Sequence, residues 1–278
     1  MAQFDTVINI PPDIPPFEIE SSTQVNLFDG GMLGGSIGSI NVGDPGQVNE
    51  NVEVNVFGGT AGLSLNSGSV ANISGGQIRS LTVGFDSVAN VDGGNVRRAL
   101  SSGHLNVSGG AFDIVTAGTN GVVMIDGGII GGNEVGDGLS ANADSTVIVR
   151  GGRIVSHFRI TSGGKALIRG GHVNDELRVS AGGEVHLRGV EFSIDGVGLE
   201  SLMPGEAFTI VDRDVTLSGL FADGSPFSLT LNSGFAFQSS SFSPAATLTV
   251  TLVPEPTSAL LLGPAATGLL FRRRTANR

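Results

Sequence analysis

The chain has 278 residues, of which 40% are apolar and only 15% charged; it holds 44 Gly but no Cys, Trp or Tyr, and its formal net charge is −11. Low charge with abundant Val, Ile and Leu excludes a disordered chain, and the missing Cys exclude a disulfide scaffold and thiolate chemistry. The missing Trp and Tyr remove the usual stacking platforms for sugars and bases, the acidic balance argues against a general nucleic-acid binder, and the composition favours a Gly-punctuated, β-rich surface or structural protein over an enzyme.

Residues 1–22 contain Pro11, Pro12, Pro15 and Pro16. They read as an extended N-terminal cap. No Lys or Arg occurs before Arg79, whereas Asp5, Asp13, Glu18, Glu20, Asp29, Asp44, Glu50 and Glu53 precede it. The opening Met1-Ala2-Gln3-Phe4-Asp5 has neither the basic nor the apolar region of a secretory signal. It reads as a chain whose start is truncated, misassigned or already processed.

Residues 23–190 are organised by Gly pairs: Gly58-Gly59, Gly75-Gly76, Gly93-Gly94, Gly109-Gly110, Gly127-Gly128, Gly151-Gly152 and Gly170-Gly171. Gly189 continues the series, with Val190 in the second place. The first glycines are 17, 18, 16, 18, 24, 19 and 19 residues apart. The interval of 24 reads as one ordinary coil with about six residues inserted between Ile130 and Asp144. Two residues before the first Gly stand Val56, Ile73, Val91, Val107, Ile125, Val149, Ile168 and Leu187. The positions four before and three after are equally apolar, for example Val123 and Ile130 around Gly127. Alternation before the pair predicts a strand with one buried face, and the pair itself a corner. A second corner of small turn-forming residues precedes each pair by six or seven residues, as in Gly68-Ser69, Asp86-Ser87, Asn120-Gly121 and Asp144-Ser145. No segment keeps a 3.6-residue apolar period. The expected fold is all-β: a parallel β-solenoid, or β-helix, of about 16–19-residue coils.

Residues 191–252 lose the Gly-pair rhythm and gain Phe, with alternating runs at 207–211, 227–231 and 246–252. They predict a small antiparallel β module that caps the open C-terminal end of the solenoid.

Residues 253–278 form a tail in three parts. Pro254-Glu255-Pro256 is followed by an apolar stretch from Ser258 to Phe271, and then by Arg272-Arg273-Arg274. The stretch approaches the lower length of a spanning helix, and the Arg cluster would set the cytoplasmic side. This order resembles the PEP-CTERM sorting signal of Gram-negative bacteria, also labelled an ice-binding protein C-terminal domain. The resemblance covers under a tenth of the chain. It implies recognition of Pro254, Glu255 and Pro256 by an exosortase-type processing enzyme in the inner membrane. It further implies transient anchoring by a short apolar C-terminal helix with Arg272, Arg273 and Arg274 as its basic stop. Removal of the tail and delivery to the cell surface or extracellular matrix would follow. Pro264 departs from an ideal apolar helix, which it would kink.

Candidate chemistry in the body is sparse. Arg150, Arg169 and Arg188 each stand just before a Gly of the series and would stack in one outward column. That column reads either as an anion-binding strip for acidic extracellular polysaccharide or as a solvated face. Asn55, Asn72, Asn90 and Asn106 share another column, expected to form a stabilising amide ladder. His104, His157, His172 and His186 share none, so no metal site and no cofactor are expected. The insertion, with Gly132, Asn133, Glu134, Asp137 and Asp144, reads as a loop rather than a Ca²⁺ site. A carbohydrate-binding or polysaccharide-cleaving solenoid is the alternative to a non-enzymatic one, with Asp126, Arg150, Arg153 and Arg169 as the only nearby mix of groups for cleavage.

Overall fold

The structure, a computed structural model, describes residues 4–34, 38–132, 138–174, 177–199, 202–234 and 241–254. It is all-β in those residues, and it is a parallel β-solenoid of about nine turns. Among the described residues no helix is long and apolar enough to cross a membrane. Glu255, Pro256, the apolar stretch, its expected helix and Arg272, Arg273 and Arg274 lie outside the described residues.

Two parallel sheets face each other across the core. The front sheet takes the strand before each Gly pair, from Val52–Val56 through Ser69–Ile73, Val88–Val91, His104–Val107, Val122–Ile125 and Thr146–Val149 to Lys165–Ile168. The back sheet takes the strands after the pair, among them Gln77–Val83, Asn95–Ser101 and Ala111–Ala117. All three apolar columns read from the sequence point inward. Ile125 and Val123 of the front sheet and Ile130 beyond the corner are completely buried. Two more buried columns complete the core from the back sheet, through Leu81 and Val83, Val115 and Ala117, Leu139 and Ala141, and Phe158 and Ile160. The insertion sits where its length predicts. Phe112 pairs with Ile130 at an offset of 18 residues, and Val115 pairs with Leu139 at an offset of 24.

The two glycines of a pair meet different demands. Gly94 lies at φ +80°, a left-handed conformation that side chains rarely adopt. Gly93 is not left-handed, but a Cβ there would overlap the Ser74 carbonyl oxygen of the preceding coil. The same division recurs from Gly75-Gly76 to Gly170-Gly171. At Gly189 the second place holds Val190, and the chain does not turn. The strand Glu184–Ile194 continues through this point for 11 residues, with a shift in its antiparallel register between Gly189 and Glu191. Its first part stays in the solenoid, beside Lys165–Ile168. Its second part leaves and pairs antiparallel with Thr216–Phe221, which pairs antiparallel with Pro226–Thr230. This arm has its own small core, with the Phe221 and Phe227 rings stacked at 4.4 Å.

The C-terminal stretch therefore differs from the single antiparallel module expected over 191–252. Ser241–Phe242 adds in parallel to Leu177–Val179, and Thr247–Leu252 adds in parallel to Glu184–Ile194. These strands are another rung, because Leu248 and Val250 continue the buried columns of Val185 and Leu187. The antiparallel cover over that rung is the short strand Ala207–Thr209. At the other end, Thr6–Ile10 is likewise a parallel rung, beside Thr23–Leu27. Its outer edge is tied off where the Asn9 N–H donates to Asp13 Oδ2 at 2.7 Å and the Asp13 N–H donates to the Asn9 carbonyl at 2.8 Å. The outward backbone groups of Asn9 are thereby satisfied, which shortens the stretch of edge open to a further strand.

Candidate functional site

Strand alternation gives the front sheet an outer face as ordered as its inner one. The central outer column begins with six Asn: Asn9, Asn26, Asn55, Asn72, Asn90 and Asn106. From Asn26 onward, each Nδ2 donates to the Oδ1 one rung earlier, at 2.9–3.0 Å throughout. The ladder thus extends two rungs further toward the N-terminus than the Gly-pair alignment reaches. It ends at Met124, and Ile148, Leu167 and His186 carry the column on.

Beside it runs the column that stands just before the Gly pairs. It starts with Phe28 and Phe57, whose half-exposed rings stack at 5.3 Å and 17°. It continues through Ser74, Asp92, Ser108 and Asp126 to Arg150, Arg169 and Arg188. Between the two columns lies a groove of about 370 Å³. Phe57, Asn72, Ser74, Asn90, Asp92, Asn106 and Ser108 line it. This groove is hard to see in the sequence, because Phe57 and Asp92 look like unrelated exceptions in a variable column. The signal that finds them is the alternation of larger and smaller residues from Phe57 through Ser74, Asp92 and Ser108 to Asp126.

The three Arg do share the column, as the spacing predicts, but acids flank them. Arg150 Nη1 lies 3.6 Å from Asp126 Oδ1, and Arg150 Nη2 lies 3.3 Å from Met124 Sδ. Farther along, Asp223 of the antiparallel arm reaches over Gly170 and accepts the Gly171 N–H at 2.8 Å. The mix of groups considered for cleavage does not converge. Arg153 lies past the Gly151-Gly152 corner, in register with Ile129 and His172 on the other sheet.

The four His are dispersed as their spacing predicts. His186 Nε2 lies 2.8 Å from Thr251 Oγ1 at the joint between the last Gly-series strand and the closing rung. Burial, and then the nearby Arg188 charge, hold its pKa below the ordinary value. Among the described residues no group of three or more His, Cys, Asp or Glu could hold a metal ion. Asn133, Glu134 and Asp137 of the insertion lie outside the described residues. Asp144 serves its corner, at φ +58°. At the end of the body, the Val253 N–H donates to the Gly189 carbonyl at 2.8 Å, and Pro254 is exposed.

The chain matches no family model, no curated protein and no solved structure.

Proposed function

We propose that this chain is an exported, non-enzymatic structural protein of the cell surface or extracellular matrix, sorted by a PEP-CTERM-type tail. The observation that carries the reading is the order of three features in residues 253–278: Pro254-Glu255-Pro256, the apolar stretch to Phe271, and Arg272-Arg273-Arg274. Each part has a physical task. The Pro residues keep the motif out of a helix, where a processing enzyme can read extended backbone. The apolar stretch partitions into the bilayer, and the Arg cluster holds the cytoplasmic side. The exposure of Pro254, just past the closing strand Thr247–Leu252, supports the reading, because a processing enzyme must reach the motif. A rod whose front-sheet edges are partly covered suits a scaffold that must not aggregate before delivery.

The test uses a host with an exosortase and a working secretion signal placed upstream. Pro254→Ala with Pro256→Ala leaves the apolar segment intact and removes the motif. The expected outcome is unprocessed chain held in the membrane fraction. Processing and release of the double variant at the wild-type level would refute the motif's role.

A further inference from the structure

We propose that the groove beside the amide ladder binds a neutral, hydroxyl-rich glycan chain, with the open face of Phe57 as its stacking platform. The inference is independent of how the chain is delivered. It starts from the column of stacked rings. Phe28 covers one face of Phe57, at 5.3 Å. The groove is lined by Phe57 but not by Phe28, so it opens on the opposite face. There the next residue in the column is Ser74, too small to fill the place of a third ring. A flat pyranose ring can occupy that place, with its C–H face against the aromatic ring.

The rest of the lining suits the edge of such a ring. An amide carries two N–H hydrogens and two lone pairs on oxygen. The ladder uses one of each at Asn72 and Asn90 and so leaves one of each for a ligand. These spare groups recur once per rung, about every 4.8 Å. They face the Asp92 carboxylate and the Ser108 hydroxyl across the groove. Paired donors and acceptors at short intervals match vicinal hydroxyls, which both donate and accept. The charge of the site selects the class of glycan. Asp92 is in the lining, whereas no Lys, Arg or His is. A uronate, sulfated or phosphorylated chain would therefore meet repulsion without compensation. The Arg residues lie farther along the column, beyond Asp126. A repeating polymer can follow the repeat of the protein along the rod, with successive sugars meeting successive rungs.

The test is titration of the folded chain with cellohexaose, maltohexaose and laminarihexaose by calorimetry, and in parallel with an oligogalacturonate. At least one neutral hexasaccharide is expected to bind saturably, with a Kd at or below about 1 mM. Phe57→Ala should weaken that binding about tenfold or more, and Asp92→Ala should weaken it as well. Both residues are on the surface, and Phe85→Ala, at another exposed ring, is the control expected to leave binding unchanged. Should Phe57→Ala prove unstable by circular dichroism, Asp92→Ala carries the test alone. Three results would each overturn the proposal: no saturable binding of any neutral probe, binding insensitive to both groove variants, or binding of the oligogalacturonate alone.

Discussion

Gly94 lies at φ +80°, and a Cβ added there would stand 2.8 Å from the Gly75 carbonyl oxygen. Gly93 is not in that left-handed region, but a Cβ there would run into Ser74 backbone. Gly94→Ala is therefore expected to cost about 1–3 kcal/mol through strain. Gly93→Ala should cost at least as much, because two coils must separate to admit one methyl group. Urea denaturation of both variants measures this, and wild-type stability in either would remove the argument for its position. The amide ladder gives a gentler gradient. Asn90→Ala breaks two rung bonds and should cost about 1 kcal/mol. Asn106→Ser breaks one and should stay within about 0.5 kcal/mol of wild type. The Asn column was legible because its residues repeat at one distance from the Gly pair. The groove beside it was not, because its chemistry comes from residues that break their column's pattern.

At the scale of the strand and corner, the two front-sheet columns and the back-sheet column just past the Gly pair were legible, and the two farther back-sheet columns were not. The reason is where coil length varies. Distance from the Gly pair back to the front strand is constant, whereas the stretch beyond the pair takes up the differences between coils. Leu63, Leu81, Leu139 and Phe158 therefore stand at unequal distances after their pairs. Counted back from the second corner, the register returns: Leu65, Val83, Ala117, Ala141, Ile160 and Val179 each stand four residues before Ser69, Ser87, Gly121, Ser145, Gly164 and Gly183. Ile125, completely buried in a central coil, tests the column assignment. Ile125→Asp places an unpaired charge in the core and should abolish the cooperative unfolding transition. A thermal melt equal to that of Asn106→Ser would contradict the assignment. The closing rung has its own signature at His186. Its lowered pKa means that the unfolded chain binds a proton more readily than the native one. This contribution is whole above the unfolded pKa and falls as pH drops from about 6.5 through the folded value. Stability measured from pH 8 to 5 should decline across that window, and His186→Asn should flatten the decline. An unchanged slope in the variant would remove His186 as the source.

At the scale of the whole molecule, the rod is a stack in which each turn buries the next, so no single coil is a folding unit. Its ends are as specific as its middle. On the front sheet, Asp13 ties the first edge at Asn9, the strand Ala207–Thr209 covers the last, and Val190 marks where the chain abandons the corner rhythm to build the antiparallel arm. The Val at that place was visible in the sequence. The return of 241–252 as a parallel rung was not, because a strand's alternation shows that one face is buried without showing its partner. The proposed function joins this body to its tail, with residues 253–278 proposed to direct delivery and then to be removed. Mass spectrometry of material released from an exosortase-bearing host, with secretion provided by an upstream signal, measures that directly. On that proposal the body is recovered from the cell surface or medium without the residues beyond roughly Thr257, because the proposed cut is at the Pro254-Glu255-Pro256 motif. Recovery outside the cell of intact chains ending at Arg278 would contradict it.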